Sequence, residues 1–312
     1  MTELAAVVLA HRDPLMVRRL VAALDDVPVF LHCDARTPDA VAAEMLRGLP
    51  PRVTVLPRRA TRLASWSLVA AELAALRTAL TATRAAHVAV LSGSDYPLLS
   101  VPGLVRELAA WEGRSWLWNV PLPHPPWDTP RHPDGGLWRL RLRYLTRNDH
   151  VLYVREIPLR WPVPRAVPAE LELRASSQWK VYGRADVERL LQLVDTRPDL
   201  LRFWRTTLVP EESFAASMLA SPRLTGGDAL LPCRADAWLI RWPEGVNHHP
   251  DWLTGADFPE LARARWASPV DPGEAVLPSE GWDLPGRKLF ARKFTTAVDA
   301  GVLDRIDAEL RS

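Results

Sequence analysis

The chain has 312 residues, 48% of them hydrophobic and 24% charged, enough apolar material to bury a sizeable core in one large α/β unit or two small ones. Lys and Arg number 39 against 37 Asp and Glu, and a net charge of +2 excludes the broad basic field that nonspecific nucleic-acid binding needs. No run of about 18 apolar residues is present, which excludes a transmembrane helix within the sequence.

The short apolar run Leu4–Ala10 lacks a basic leader and a small-residue cleavage site, so it reads as a buried first strand and the expected location is cytoplasmic. Cys33 and Cys233, the only two cysteines, suit a reducing compartment and make no metal quartet. The 29 prolines and 14 tryptophans point to rigid loops and to aromatic surfaces suited to core packing or to sugar stacking.

Over the first 120 residues, short apolar runs alternate with segments of helical spacing, the pattern of parallel strands joined by crossover helices. Strands are expected at Ala5–Ala10, Val29–His32, Val53–Leu56, Val88–Ser92 and Ser115–Val120, and helices near Leu15–Leu24, Pro38–Leu46 and Ser67–Thr83. Ser100 and Pro102 look like the start of a further helix. Residues Pro121–Pro168 dissolve into Pro, His, Arg and Trp around one short strand at Val151–Val154, an irregular insertion of the kind that shapes binding sites. Gln178–Tyr182 reads as a strand and Ala185–Val194 as a helix, with a second helix opening at Glu211 or Glu212 after Pro210. The tail from Trp238 to Ser312 mixes a strand, Pro/Gly-rich turns, a basic cluster and a last helix near Ala297–Leu310. No repeat or low-complexity linker interrupts the chain, which favours one compact unit over residues 1–312.

Four segments carry candidate chemistry. Glu211 and Glu212 follow Pro210 and open an apolar helix, where acids compensate the helix dipole by about 0.3–1 kcal/mol, or where one of them serves as a general base. Ser92, Gly93 and Asp95 end an apolar strand, the position at which open α/β sheets meet ligands, although Asp95 equally suits a turn. His32-Cys33-Asp34 ends another strand with the same two readings. Arg287, Lys288, Arg292 and Lys293 cluster beside Phe290 and Phe294, either as a solvated face or as a clamp for a departing diphosphate. The sequence contains no Asp-x-Asp, no Gly-x-Gly-x-x-Gly, no P-loop and no Gly-x-Ser-x-Gly. A strand-end metal site, a dinucleotide enzyme, an NTPase and an α/β-hydrolase are therefore unsupported.

In order along the chain, Val8-Leu-Ala-His-Arg-Asp13, Phe30-Leu-His-Cys-Asp34, Ala64-Ser-Trp-Ser67 with Glu72, Leu91-Ser-Gly-Ser-Asp-Tyr-Pro97, Ser176-Ser-Gln-Trp179, Pro210-Glu-Glu212 and Leu289-Phe-Ala-Arg-Lys-Phe294 resemble the core-2/I-branching β-1,6-N-acetylglucosaminyltransferase family, which includes the peptide O-xylosyltransferases. The resemblance implies a GT-A-like, Rossmann-type, mainly parallel α/β fold with an irregular insertion and a C-terminal extension. Residues 1–120 would bind the nucleotide sugar, 121–237 would hold the acceptor-side insertion and catalytic helix, and 238–312 would bring the phosphate-binding cluster.

It further implies an inverting transferase that needs no metal or other cofactor. Its donor would be a nucleotide sugar, N-acetylglucosamine-like on UDP or else xylose, and its acceptor a glycan or glycosylated small molecule. Glu212 falls on the family's base and Lys293 on its phosphate-binding Lys, with Arg292, Arg287, Arg241, His11, Asp34, Asp95 and Ser92 expected on the donor side. Glu211, Trp138, Arg143 and Trp179 are expected on the acceptor side. The family's second phosphate-binding Arg aligns with Trp238, leaving Arg234 and Arg241 as substitutes, and the Gly before its Ser-x-Trp is Ser176 here. A catalytically silent nucleotide-sugar or carbohydrate binder is the competing reading.

Overall fold

The computed structural model describes residues 3–243, 249–276 and 284–311. Strands and helices alternate first as β1 (Leu4–Ala10), α1 (Pro14–Ala23), β2 (Val29–Cys33), α2 (Asp39–Leu46), β3 (Val53–Val55), α3 (Trp66–Ala82) and β4 (His87–Ser92), followed by β5 (Asp95–Pro97) and α4 (Val101–Ala109). Side chains of β1 divide by parity: Leu4, Ala6, Val8 and Ala10 enter a core with Met16, Val17 and Leu20 of α1, whereas Ala5, Val7 and Leu9 enter a second core with Trp66, Val69 and Leu76 of α3. A strand apolar on both faces belongs inside a helix-covered sheet. Accordingly β1 pairs in parallel with β2 and β4, β3 adds beyond β2, and Lys180–Gly183 closes the five-stranded sheet antiparallel to β4.

That antiparallel strand explains one departure from expectation. Lys180–Gly183 occupies the edge of β4, so Ser115–Val120 does not join the sheet: Trp116 makes a single bridge to Val181, and Asn119–Pro121 pairs separately with Arg174–Ser176. The strand expected over Val151–Val154 is split between two short ribbons, His150–Val151 with Thr146–Arg147 and Tyr153–Val154 with Ile157–Pro158. The final helix starts at Gly301 rather than Ala297, because Asp13 holds Thr295 and Thr296 while Asp299 accepts the Gly301 and Val302 amides.

A second, three-stranded sheet joins Trp238–Ile240, Phe290–Arg292 and β5. Trp238 stacks on Phe290 at 4.8 Å and enters the α1-side core together with Leu303 and Leu310. The C-terminal stretch therefore packs into the same core as β1: it leaves the carboxyl edge of the parallel strands, where Asp13 holds Thr295 and Thr296, and ends at the far end of α1, where Arg311 donates to the Ala23 carbonyl.

Candidate active site

The carboxyl ends of β1, β2 and β4 place His11, Asp34 and Ser92 along one rim of the sheet. Asp34 is buried there and accepts the Arg36 amide at 2.7 Å, the Thr61 amide at 3.2 Å, the Thr61 hydroxyl and the Arg36 guanidinium at 3.3 Å. Burial by itself would raise its pKa, but the bonds from Thr61 and Arg36 outweigh that and hold the carboxyl below the usual range. Asp34 is thus ionised and anchors the turn around it. His11 is exposed beside it, and the His11 carbonyl accepts the Thr37 hydroxyl at 2.9 Å.

From Thr61 the chain leads directly to the two adjacent acids. Ala64, at a left-handed φ of 60°, donates its amide to Glu211 Oε1 at 2.7 Å. Thr61 and Ala64 are three residues apart, so the Asp34 and Glu211 contacts lie within about 11 Å of each other along the backbone. Pro210–Glu212 forms a 3-10 turn, and the helix proper runs Phe214–Ala220. The turn separates the two side chains. Glu211 is 3% exposed and its Oε2 has no partner, while Glu212 stays half-open with a side-chain exposure of 32%. Burial, and then the neighbouring Glu212 charge, push the Glu211 carboxyl up to about 8. Glu212 Oε2 accepts Arg139 Nη1 at 2.8 Å, and that guanidinium lies 4.1 Å over the Trp127 ring, so the insertion fixes the carboxylate's direction. Beneath the turn, buried Lys180 lies 3.4 Å from the Glu211 carbonyl and 3.5 Å from Glu72, which also accepts the Tyr182 hydroxyl at 2.9 Å.

The third part of the rim is cationic. Beyond the strand ending at Arg292, Lys293 brings its ammonium 4.3 Å over the Trp252 ring, and Arg12, next to His11, covers the same ring at 5.0 Å. No carboxylate among the described residues lies within ion-pair distance of Lys293. Desolvation, then Arg12 and Arg292, draw its pKa down. Ile240 pairs with Arg292 across the parallel strands, so Arg241 follows the same edge, where it pairs with Asp257 and lies 3.6 Å from Asp251. Trp252 sits between these strand ends because the Asp251 amide donates to the Arg241 carbonyl and the Leu253 amide to Lys293, both at 2.9 Å.

Several residues expected on the site have other partners. Asp95 does not line the rim: it is fully buried, accepts the Ser92 amide and hydroxyl at 2.7 and 2.8 Å, and pairs with Arg292 at 3.0 Å. Burial pushes the Asp95 carboxyl up and the Arg292 guanidinium down, and each is the other's counter-charge. Arg292 also lies 4.1 Å over Trp179, which places Trp179 on the cationic side rather than with the insertion. Arg287 stands before the strand and is engaged with Glu107 of α4 and the Ala267 carbonyl, away from Lys293. Trp238 and Arg234 are buried. Trp138 stacks on His132 at 4.7 Å, next to the Arg139 that holds Glu212, and Arg143 is exposed on the same insertion.

Arg12, Thr61, Arg139 and Trp252 escaped the sequence reading. Only Arg12 carried a local signal, directly after the first strand; the others reach the rim through long-range contacts. Among the described residues, no three His, Cys, Asp or Glu side chains gather as a metal site would require.

Comparison with known proteins places this geometry in context. The family model described as Core-2/I-Branching enzyme matches residues 7–262. The mouse protein named beta-1,3-galactosyl-O-glycosyl-glycoprotein beta-1,6-N-acetylglucosaminyltransferase 4 is 25% identical over 303 residues, 93% of this chain and 61% of the relative. Its mouse counterpart numbered 3 is 23% identical over 256 residues, 80% of this chain and 53% of the relative. The chain therefore spans less than two thirds of either relative's length. Among solved structures, Staphylococcus aureus TarS in complex with UDP-GlcNAc aligns at a TM-score of 0.30 and 14% identity, over 66% of this chain and 53% of that one.

Proposed function

The chain belongs to the Core-2/I-branching enzyme family, and from that premise we propose that it is an inverting glycosyltransferase moving an N-acetylglucosamine-like sugar from a UDP donor to an acceptor hydroxyl, without a metal ion. The observation that carries the reading is the arrangement of one rim: a half-open carboxylate, Glu212, aimed by Arg139, and a cation, Lys293, with no carboxylate partner among the described residues, flanking the strand ends that hold Asp34. In the proposed step the acceptor oxygen attacks the anomeric carbon as the bond to the diphosphate oxygen breaks. The acceptor proton passes to Glu212, and the charge left on the diphosphate meets Lys293, Arg12 and Arg241. Asp34, already held ionised by Thr61 and Arg36, orients the nucleoside side.

Replacing the base separates this reading from a silent binder. In Glu212→Gln, kcat should fall about 10²-fold or more while UDP affinity stays within a few-fold. A folded variant with wild-type turnover would remove Glu212 from the mechanism. In Lys293→Ala the donor should bind more weakly and turn over more slowly, because one fixed charge opposite the leaving group is gone.

A further inference from the structure

The insertion carries an exposed apolar surface to which the proposed transfer step assigns no role. Three leucines spaced by seven close a small frame: the Leu145 amide donates to the Leu159 carbonyl at 2.9 Å, Leu152 to Leu145 at 2.9 Å and Leu159 to Leu152 at 2.8 Å. Tyr144 and Val151 turn inward against Leu142 and Leu208. The outside is left apolar, with Val154 55%, Ile157 61%, Trp161 54% and Val163 71% exposed. Val154 and Ile157 are paired across a tight turn made by Arg155 and Glu156, so they project from one face of the ribbon tip.

The charge around this tip is one-sided. Arg141, Arg143, Arg147, Arg155 and Arg160 are all exposed, against two acids between residues 139 and 165, the exposed Glu156 and the half-open Asp149, which lies 3.8 Å from Arg205. A chain of net charge +2 thus concentrates its excess of cations at its most apolar exposed loop. Isoleucine and valine at the ribbon tip and a tryptophan farther along the same frame, with exposed guanidinium groups spaced along it, match the acyl boundary and the phosphates of an anionic bilayer.

We propose that this ribbon docks the protein on an anionic lipid surface and presents the Glu212 rim to an acceptor carried there. The acceptor clause rests on the transferase reading; the docking does not. The ribbon is tied to that rim, since the Val151 amide donates to Ser65 Oγ at 3.0 Å, the Ser67 amide to the Asp149 carbonyl at 3.1 Å, and Arg62 lies 4.5 Å over Tyr153. Ala64, in the middle of the same segment, holds Glu211.

Co-sedimentation of the full chain with phosphatidylglycerol/phosphatidylcholine vesicles and with pure phosphatidylcholine vesicles tests the docking. Binding should be at least about tenfold tighter to the anionic vesicles and should weaken with salt. Removing Arg155 and Arg160 together as alanines should weaken it about 25-fold, roughly fivefold for each arginine. The pair Ile157→Ser and Trp161→Ala should weaken it several-fold, with the thermal shift on UDP unchanged from wild type as the control for folding. Equal binding to both vesicle types, or variants that sediment like wild type, would overturn the proposal. So would an affinity for a short DNA duplex that matches the vesicles, or an Ile157- and Trp161-dependent dimer in light scattering without vesicle binding. Because sedimentation needs no turnover, an active Glu212→Gln enzyme would sink the transferase mechanism and leave this result readable.

Discussion

At the scale of single residues, two adjacent carboxylates take opposite environments because a 3-10 turn rotates successive side chains far apart. Glu212 reaches the rim and Arg139, whereas Glu211 goes under it with one oxygen unpaired. Its pH consequence has a definite sign. Glu211 titrates at about 8 in the fold against 4.5 in the unfolded chain, so between these values the folded state keeps a proton that the unfolded state has lost. Stability from this group therefore falls as pH rises through that window. Glu211→Gln removes the titration, and its urea midpoint relative to wild type should climb from pH 4.5 to 8; a pH-independent difference would contradict the assignment. The Asp95–Arg292 pair gives a second residue-scale test. Asp95→Asn leaves a nearly buried guanidinium without its counter-charge and should cost about 3–5 kcal/mol in denaturant unfolding. It should also impair donor binding, because Arg292 positions the strand end from which Lys293 projects.

At the scale of elements, close backbone approach sets the junctions. A Cβ on Gly183 would stand 1.8 Å from the Gly113 carbonyl oxygen, where the antiparallel edge strand passes the end of α4. One on Gly93 would meet Val17 Cγ2 at 2.8 Å, where the turn after β4 crosses α1. Gly183→Ala should destabilise by more than about 3 kcal/mol, since the Gly113 backbone must move, and Gly93→Ala by less, since its tightest contacts, 2.8 Å to Val17 Cγ2 and 3.0 Å to Ala10 Cβ, need a smaller shift. Matched thermal melts would rank them, and the reverse order would refute the packing argument. Apart from β5, whose Asp-Tyr-Pro reads as a turn, helix and strand positions in this half of the chain were legible to within about a residue, because each face of β1 and each apolar stripe of α1 and α3 repeats with its own period. The Ser115–Val120 strand was not, since its apolar run is the same whether it pairs with β4 or merely packs beside it. Which segment takes a sheet edge depends on a competitor more than sixty residues away.

At the scale of the whole molecule, the cationic edge exists only because the C-terminal strand inserts beside β5. Asp13 then clasps Thr295 and Thr296, and Asp307 joins Arg19, Tyr96 and Arg311. UDP should bridge this edge and the Asp34 rim, so it should raise the melting temperature to the same extent in EDTA and in Mn. At a hundredfold excess over Kd, the gain is about 2.7 kcal/mol. A shift that appears only with Mn would put a metal into the site and displace the cation-clamp reading.

The sequence by itself determined the α/β alternation, the two-faced core strand and the ordered motifs of the family, because periodicity and motif spacing are local properties. The resemblance also pointed to Glu212 and Lys293, whose roles the Glu212→Gln and Lys293→Ala variants test. What only the tertiary structure decided is how the charges divide among partners. Arg292 and Lys293 are neighbours in the chain, yet Arg292 turns into the core to meet Asp95 and Lys293 reaches the Trp252 ring. A buried charge requires an opposite charge brought from a distant segment, and pairwise encounter across the fold leaves no trace in residue order.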